Sequence, residues 1–417
     1  MMKKNILIVC AANPQSDPRP NRMIRWLKDE HNVTVIGQNQ VQIDGIESAG
    51  FSSFSSEQNG VSEEQGKEKW KTVLAMRYPK IFYILKIVKS FGKALLQTPA
   101  KRISFELDGI KALRTAMKNK RFDLIISHDL SLLPFVWDIK RADTKVLLDA
   151  REYYPRNYDD QWRWRLSEKQ FNTYLCKNYL KRCDKVITVS EGLAHEYARE
   201  FQVEPEVIMS MPDYQALQPV SVNPDRIKII YHGLVGASRK TEIMIEMMGF
   251  VDERFQLDLM LMPRDDSYFH QIVAMAESRR NVKIIPPVAM NEIVPFINSY
   301  DIGLFLVPPT NFNLTYTLPN KFFEFIQARL AIAIGPSIEM KRLVGKYDCG
   351  VVSRDFDPRS LAEELNKLTV EEIMKYKGSS HKAAGELNAD VNKKRMMQIL
   401  DELTDGKRQA PILTVEG

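Results

Sequence analysis

The sequence predicts an α/β protein with two Rossmann-like domains, each built on a doubly wound parallel sheet, that face each other across a cleft. Short apolar runs alternate with helical segments in both halves of the 417-residue chain, which is typical of parallel sheets. A segment rich in turn-forming residues separates the halves. We therefore expect a first domain over 1–212, a linker over 213–226, a second domain over 227–390, and over 391–417 a C-terminal helix that packs back, followed by a loose tail.

Each half supplies its own set of apolar runs. The strands predicted in the first half are Ile6–Cys10, Val33–Ile36, Leu124–Ser127, Val146–Asp149 and Val186–Ser190. Helices are predicted from Pro20 to Glu30, from Leu130 onward, and over the stretch that ends at Arg182. The strands predicted in the second half are Ile227–Tyr231, Leu257–Met262, Val282–Ile285, Ile302–Val307, Ala331–Ile334 and Gly350–Val352, and the last helix is predicted over about Asn392 to Leu403.

The most informative segment, residues 318–328, opens a predicted helix with Pro319, Asn320 and Lys321 and places Glu324 one turn further on. The backbone N–H groups of a helix's first turn have no intrahelical partner, and the helix dipole favours anions there. Lys321 adds a positive charge, and Glu324 is spaced to accept hydrogen bonds from two hydroxyls of a sugar ring. The segment predicts a socket for phosphate and ribose at the carboxyl edge of a parallel sheet. An ordinary capped helix with a buried, neutralised glutamate is the alternative.

Composition places the chain among globular enzymes, with 44% hydrophobic and 27% charged residues. The first four residues lead directly into a short strand, so we expect no signal peptide, and no uninterrupted apolar stretch is long enough to span a bilayer. The four cysteines lack CxxC spacing and the six histidines show no HxxxH pair, so we expect reduced thiols, a cytoplasmic location and no metal site.

One segment, about residues 65–105, is strongly basic. Between Lys67 and Arg102 it carries ten lysines and arginines against one acid, Glu68, interleaved with aromatic side chains. Such a segment fits peripheral attachment to an anionic membrane surface, at the inner face of the plasma membrane. It fits equally a solvated helix pair whose apolar face packs on the first domain. No nucleic-acid-binding motif accompanies it, so nucleic acid is not expected as a partner.

Five segments resemble, in the same order, motifs of glycosyltransferase family 4 (GT4), whose members are retaining enzymes of the GT-B fold. The matching segments are SDPRPNR at 16–22, DAREYYP at 149–155, VITVSEG at 186–192, YHGLVGASRK at 231–240 and LPNKFFE at 318–324. The resemblance implies transfer of a sugar from a nucleotide-sugar donor, such as a UDP- or GDP-sugar, to a hydroxyl of a glycan or lipid-linked acceptor. It also implies a setting in bacterial cell-surface polysaccharide or glycan biosynthesis.

The resemblance assigns the donor diphosphate to the second domain. Arg239, with Lys240, is expected to stabilise the departing diphosphate, beside a glycine turn at Gly233 that lets the backbone approach it. Lys321 and the N–H groups of Asn320 and Lys321 are expected on its other side. Because these groups meet the negative charge, we expect no metal and no cofactor other than the nucleotide-sugar itself.

Glu324 is expected to hold the ribose hydroxyls. The family usually carries a second glutamate eight positions earlier, where this chain has Tyr316. Contacts to the donor sugar are therefore expected from Tyr316, Thr317 or Asn313, or from the backbone. Leu318 is also expected to belong to the donor-binding site.

The chain also departs from the family at Arg151, where the pattern has histidine. Arginine stays protonated and cannot act as a base, but it can hold an anionic group on the donor sugar or the acceptor. A structural ion pair with Glu152 or Asp149 is the alternative. On the acceptor side we also predict His128, Asp129 and Glu152, although Asp129 is equally suited to cap the helix that follows it.

Two other functions remain open at this stage. A non-catalytic GT-B subunit would bind a nucleotide or a partner glycosyltransferase without turnover, and a nucleotide-sugar 2-epimerase uses the same architecture. The presence of Arg239, Lys321 and Glu324 together argues against the first, and the second would need acids and histidines that we do not find in order.

Overall fold

A computed structural model describes residues 3–38, 43–51, 98–263 and 266–405. The chain forms two compact units. Unit 1 takes its residues from Met1–Ile187, Tyr197–Glu206 and Asp401–Gly417, and unit 2 takes its residues from Thr188–Glu196 and Val207–Leu400.

Unit 1 is built on a seven-stranded sheet of order β3-β2-β1-β4-β5-β6-β7. The strands are β1 (Asn5–Val9), β2 (Asn32–Gln38), β3 (Glu47–Phe51), β4 (Leu124–Ser127), β5 (Lys145–Ala150), β6 (Lys185–Thr188) and β7 (Glu206–Val207). The pairings of β1 with β2 and β4, of β2 with β3, and of β4 with β5 are parallel. The order 3-2-1-4-5-6 is that of a Rossmann fold, as the sequence predicts. The sequence did not predict β3, whose polar and glycine-containing segment shows no apolar alternation.

Helices flank this sheet. They are α1 (Pro18–Leu27), α2 (Pro99–Gly109), α3 (Lys111–Lys118), α4 (Leu133–Ile139), α5 (Trp162–Ser167), α6 (Lys169–Tyr179) and α7 (Glu191–Phe201), of which α7 starts in residues of unit 2. Helix α1 begins two residues earlier than predicted because Asp17 caps it, its side chain accepting a hydrogen bond from the Arg19 N–H.

Unit 2 repeats the architecture with six strands in the order β10-β9-β8-β11-β12-β13. The strands are β8 (Ile227–Leu234), β9 (Phe255–Met262), β10 (Val282–Ile285), β11 (Ile302–Phe305), β12 (Ala331–Ile334) and β13 (Gly350–Val352). All five pairings in this sheet are parallel. The two doubly wound parallel sheets confirm the predicted fold class.

The helices of unit 2 cover its sheet. They are α8 (Thr241–Met247), α9 (Ser267–Glu277), α10 (Ile293–Ile297), α11 (Phe312–Thr315), α12 (Asn320–Gln327), α13 (Ile338–Tyr347), α14 (Pro358–Lys367), α15 (Val370–Glu386) and α16 (Ala389–Thr404), of which α16 ends in residues of unit 1. Phe322, Phe323 and Phe325 of α12 are fully buried in the core beside β8, β11 and β12. This burial anchors α12 and therefore fixes the direction of its polar residues.

Residues 213–226, predicted as a linker, belong to unit 2. The Gln215 N–H donates to the side chain of Gln327 at 3.0 Å, and the Gln215 carbonyl accepts from Arg329 at 2.5 Å. The end of α12 thus holds the start of this segment.

Of the predicted basic segment, residues 52–97 lie outside the described residues. Arg102, near its end, pairs with Glu106 and Glu168 at 3.0 Å each and lies 3.9 Å from the centre of the Phe171 ring. This arginine is therefore engaged within unit 1.

Three further observations concern the described part of the chain. It contains no helix that is long and apolar enough to cross a membrane. It contains no group of three or more metal-ligating side chains suited to hold an ion. Its four cysteines are free thiols.

Candidate functional site

The candidate site lies at the switch point of the unit 2 sheet, where the strand order reverses between β8 and β11. In open α/β sheets, ligands bind beyond the carboxyl ends of the strands at this point. The residues 231–234 end β8, and Phe305 ends β11. Helix α12, which opens with the predicted socket, is packed against these strand ends.

Gly233 and Lys321 meet at the end of β8. Gly233 has a φ of +130°, a backbone conformation that residues with a side chain rarely adopt. A Cβ built on it would lie 2.8 Å from the Nζ of Lys321. The backbone angle therefore favours glycine, and a side chain at this position would have to displace the end of Lys321.

Aromatic rings surround the ammonium group of Lys321. Its Nζ lies 3.9 Å from the centre of the Tyr231 ring and 5.7 Å from that of Phe305. Desolvation lowers the pKa of Lys321 and the charge of Arg239 lowers it further, while Tyr231 and Glu324 raise it. The environment leaves the positive charge only partly compensated, so an anion bound here would be favoured.

The first turn of α12 adds backbone donors to this charge. Pro319 is the N-cap, with extended backbone, and no described residue caps the helix with a side-chain hydrogen bond. The half-buried Asn320 and Lys321 open the helix. Their N–H groups and the helix dipole form the usual anion-binding arrangement of a helix N-terminus.

Glu324 lies one turn further along α12, next to His232. The Oε2 of Glu324 is 3.3 Å from the Nε2 of His232, and the Glu324 side chain keeps 14% of its surface exposed. Burial lowers the pKa of His232 to about 3, and the charge of Lys321 adds to the shift, so the imidazole is neutral at pH 7. The imidazole therefore does not neutralise the carboxylate, which lies close enough to Lys321 to raise the pKa of that lysine.

Arg239 and Lys240 follow β8 in a short 3-10 turn, Ala237–Arg239. Arg239 is half-buried and close enough to Lys321 for its charge to lower the pKa of that lysine. Lys240 is exposed, adopts a left-handed conformation with φ 50° and lies 3.7 Å from the carboxylate of Glu242. The structure thus places the charge of Arg239 within electrostatic range of Lys321, whereas Lys240 pairs with an acid.

The residues before α12 have different environments. Leu318 is in the core, and Thr317 is half-buried. The Tyr316 ring lies over Gly192, where a Cβ would come within 1.9 Å of its Cδ1, and its centre is 5.1 Å from that of the Phe312 ring, with the two planes tilted by 53°. Tyr316, at the position of the missing family glutamate, is therefore held in place by packing.

Sequence reasoning missed three residues of unit 2 at or near this edge. Tyr231 and His232 directly precede the glycine turn, so their position beside a predicted site residue was the available signal. Glu339, buried in the first turn of α13, accepts a hydrogen bond from the Gly192 N–H at 2.6 Å. No sequence pattern indicated this pairing, since 147 residues separate the two partners.

Unit 1 has a buried ionic cluster at the corresponding edge of its own sheet. Asp149, at the end of β5, accepts two hydrogen bonds from the guanidinium of Arg19 at 2.6 and 2.8 Å. The Nδ1 of His128 lies 2.9 Å from the same carboxylate. Burial raises the pKa of Asp149, but the charge of Arg19 and the contact with His128 outweigh it and hold the pKa well below its usual range.

Arg151 belongs to the same region. It forms ion pairs with Asp17 and, at 3.3 Å, with Asp129, whereas the sequence suggested Glu152 or Asp149 as structural partners. Asp129 also accepts from the Ala11 N–H at 2.9 Å. Among the described residues, the Asp129 side chain forms no capping hydrogen bond with the 3-10 turn that follows it. Asp129 therefore does not act as a side-chain helix cap.

These contacts change the expected role of Arg151. Burial lowers its pKa, but the carboxylates around it, above all Asp129, raise the pKa well above its ordinary value. Its charge is matched within unit 1, which weakens the case for an anionic substrate group at this position.

Glu152, also predicted on the acceptor side, makes a structural contact through its backbone. Its carbonyl accepts a hydrogen bond from the Tyr197 hydroxyl at 2.7 Å.

A change at Gly233 tests the packing of the socket. Gly233→Ala should strain the backbone and displace Lys321, so we expect affinity for a nucleoside diphosphate to fall by about tenfold or more. Gly345→Ala is the control, because a Cβ at that position of α13 meets nothing within 4 Å. Calorimetric titration measures both, and equal affinities in the two variants would contradict the geometry.

Comparison with known proteins agrees with this architecture. Residues 72–213 match the model of Glycosyltransferase Family 4. No curated protein sequence matches the chain at a significant level.

Several solved structures share the fold. Sucrose-phosphate synthase from Thermosynechococcus elongatus superposes with a TM-score of 0.68 at 11% identity, covering 97% of this chain and 100% of that one. An Anabaena protein in complex with UDP and glucose gives 0.61 at 12% identity, with 96% and 100% covered. A mutant of S. aureus TarM in complex with Fondaparinux, alpha-GlcNAc-glycerol and UDP gives 0.58 at 9% identity, covering 70% of this chain and 59% of that one. The chain thus has the GT-B fold, and residues 72–213 resemble Glycosyltransferase Family 4.

Proposed function

We propose that this protein is a retaining glycosyltransferase that moves a sugar from a nucleotide-sugar donor to an acceptor hydroxyl. The observation that carries the proposal is the socket at the unit 2 switch point. Lys321 and the first turn of α12 lie there beside Gly233 at the end of β8, and Glu324 lies one turn further along the same helix. A partly compensated ammonium group and a helix N-terminus suit a diphosphate, and an accessible carboxylate one turn away suits the hydroxyls of a ribose.

Lys321 and Arg239 then have a chemical role. When the bond between the anomeric carbon and the diphosphate breaks, negative charge accumulates on the leaving oxygen. The acceptor oxygen forms the new bond to the anomeric carbon, and its proton passes to the departing diphosphate. Fixed cations at the leaving group stabilise this state without reorganising. Since two cationic side chains and a helix end supply the charge, we propose that turnover needs no divalent metal.

The finer assignment concerns the substrates. The Anabaena protein and the TarM mutant are both in complex with UDP, which supports uridine nucleotides as the first donors to test, with guanosine nucleotides second. A glycan or lipid-linked acceptor, and a place in bacterial surface-glycan assembly at the inner face of the plasma membrane, remain part of the proposal. The basic segment at 65–105 and the GT4-like motifs support them.

The test is product formation from a panel of UDP- and GDP-sugars, each with glycan and lipid-linked acceptors. Release of the nucleoside diphosphate measures transfer, and NMR of the product gives the anomeric configuration. A retained configuration is expected. Tight binding of the nucleotide without transfer to any acceptor would favour a non-catalytic subunit, and an altered free donor sugar would favour an epimerase.

Arg239→Ala tests the assignment of the leaving-group cation. Loss of one group that stabilises transition-state charge should lower kcat on the order of a hundredfold, with a smaller effect on KM. Arg280→Ala, which removes an exposed arginine of the same unit, is the matched control. Normal turnover by the Arg239 variant would rule this role out.

A further inference from the structure

His232 is a buried polar residue to which the proposed reaction gives no role. It lies on β8 opposite Met260 of β9, only 4% exposed, and its ring meets that of Phe325 edge-on, with centres 5.4 Å apart and planes at 88°. Strand pairing and the aromatic contact together fix the position and the plane of the imidazole.

The fixed ring directs Nε2 toward Glu324. The atoms His232 Nε2 and Glu324 Oε2 are 3.3 Å apart without the geometry of a hydrogen bond, and the buried Nε2 has no hydrogen-bond partner among the described residues. A buried ring nitrogen without a partner is costly, so a contact with the neighbouring carboxylate is the available way to satisfy it.

We propose that His232 is a positioning residue, whose Nε2–H holds the Glu324 carboxylate in the orientation that accepts the ribose hydroxyls of the donor. This rests on the proposed function, and it adds a residue that acts through Glu324 without touching the substrate. One carboxylate oxygen would be fixed by the histidine, which leaves the exposed part of the group for the ligand.

The surroundings of His232 suit this role. The ionisable groups that face it are Glu324 and Lys321, both from α12, and Arg239 lies near the latter. Because the pKa of His232 is lowered to about 3 by burial and by Lys321, the ring is a neutral donor at and well below neutral pH. A neutral donor orients the carboxylate without cancelling the charge that makes it a strong acceptor.

The experiment compares UDP with 2′,3′-dideoxy-UDP in calorimetric titrations, or the corresponding guanosine pair if GDP binds better. His232→Phe keeps an aromatic ring against Phe325. The proposal predicts that the ratio of the affinity for UDP to the affinity for dideoxy-UDP falls about tenfold or more in this variant, while the affinity for dideoxy-UDP is unchanged. His232→Gln, which can place an amide N–H near the same point, should keep most of the preference.

A double-mutant comparison adds a second measurement. In a Glu324→Ala background, where the ribose preference is already lost, His232→Phe should have no further effect. Equal weakening of both nucleotides by His232→Phe would show a packing role, and an unchanged ribose preference would show no role; either result overturns the proposal. If the unmodified protein bound neither UDP nor GDP, the proposed function itself would fail, which is a distinct outcome.

Discussion

Replacing Lys321 with methionine should lower turnover about a thousandfold while leaving the protein at least as stable as before. Methionine keeps the stem that packs on Tyr231 and removes the charge that the diphosphate needs. The folded state lowers the pKa of Lys321 mainly by desolvation, so protonating this lysine costs folding free energy at neutral pH. The lysine therefore weakens folding in exchange for function, and removing it should not unfold the protein.

The matched control is Lys283→Met, which removes an exposed lysine from β10 at the edge of the same sheet. Kinetics and thermal unfolding of both variants are compared. A Lys321 variant that turned over like the Lys283 variant, or that lost activity only because it melted at a much lower temperature, would contradict the role of Lys321.

Asp149→Asn should lower the free energy of unfolding by about 3–5 kcal/mol at pH 7, since it leaves the guanidinium of Arg19 buried without its counter-charge. Asp143→Asn is the control: its carboxylate is exposed and pairs with Arg121 at the surface, so little change is expected. Denaturant titration measures both variants. Similar losses in the two would mean that the buried cluster does not stabilise unit 1.

The same cluster predicts a dependence on pH. The folded pKa of Asp149 lies below the unfolded value of about 3.9, so its stabilising contribution is complete above that value and is lost as the pH falls below it. The unmodified protein should therefore lose stability on acidification more steeply than the Asp149→Asn variant. Parallel curves for the two proteins between about pH 5 and pH 2 would contradict the assignment.

Much of the fold could be predicted because its signals are local. The strands Leu124–Ser127, Val282–Ile285, Ala331–Ile334 and Gly350–Val352 form at their predicted boundaries. Strands of a parallel sheet that is covered on both faces are nearly continuous apolar runs, and these stand out between polar helices. The residues of the socket were predicted for the same reason, because a helix N-terminus, a lysine and a glutamate one turn apart lie within one segment.

The partners of those residues could not be predicted, since they come from distant parts of the chain. Arg151 pairs with Asp17, which is 134 residues away, and no local pattern distinguishes that aspartate from any other helix cap. His232 meets Glu324 only because β8 and α12 pack together in the fold. Burial and pairing, which decide whether a charge is available to a ligand, are tertiary properties.

The segmentation of the chain was similarly hard to predict. Residues 188–196 belong to unit 2 although the predicted first domain extends to residue 212. The Gly192 N–H donates to the buried carboxylate of Glu339, and the Tyr316 ring covers Gly192. Both contacts join segments more than a hundred residues apart, and turn-forming residues alone do not reveal them.

The most direct test of the central claim is hydrogen–deuterium exchange of the unmodified protein with and without UDP, and with and without GDP. The bound diphosphate is predicted to protect the backbone at the end of β8 and the turn that follows, residues 232–240, and at the start of α12, residues 319–324. The Lys321→Met variant should show no such protection at the same nucleotide concentration. Protection confined to other parts of the chain, or binding without any change in these two segments, would contradict the claim that the unit 2 switch point is the nucleotide site.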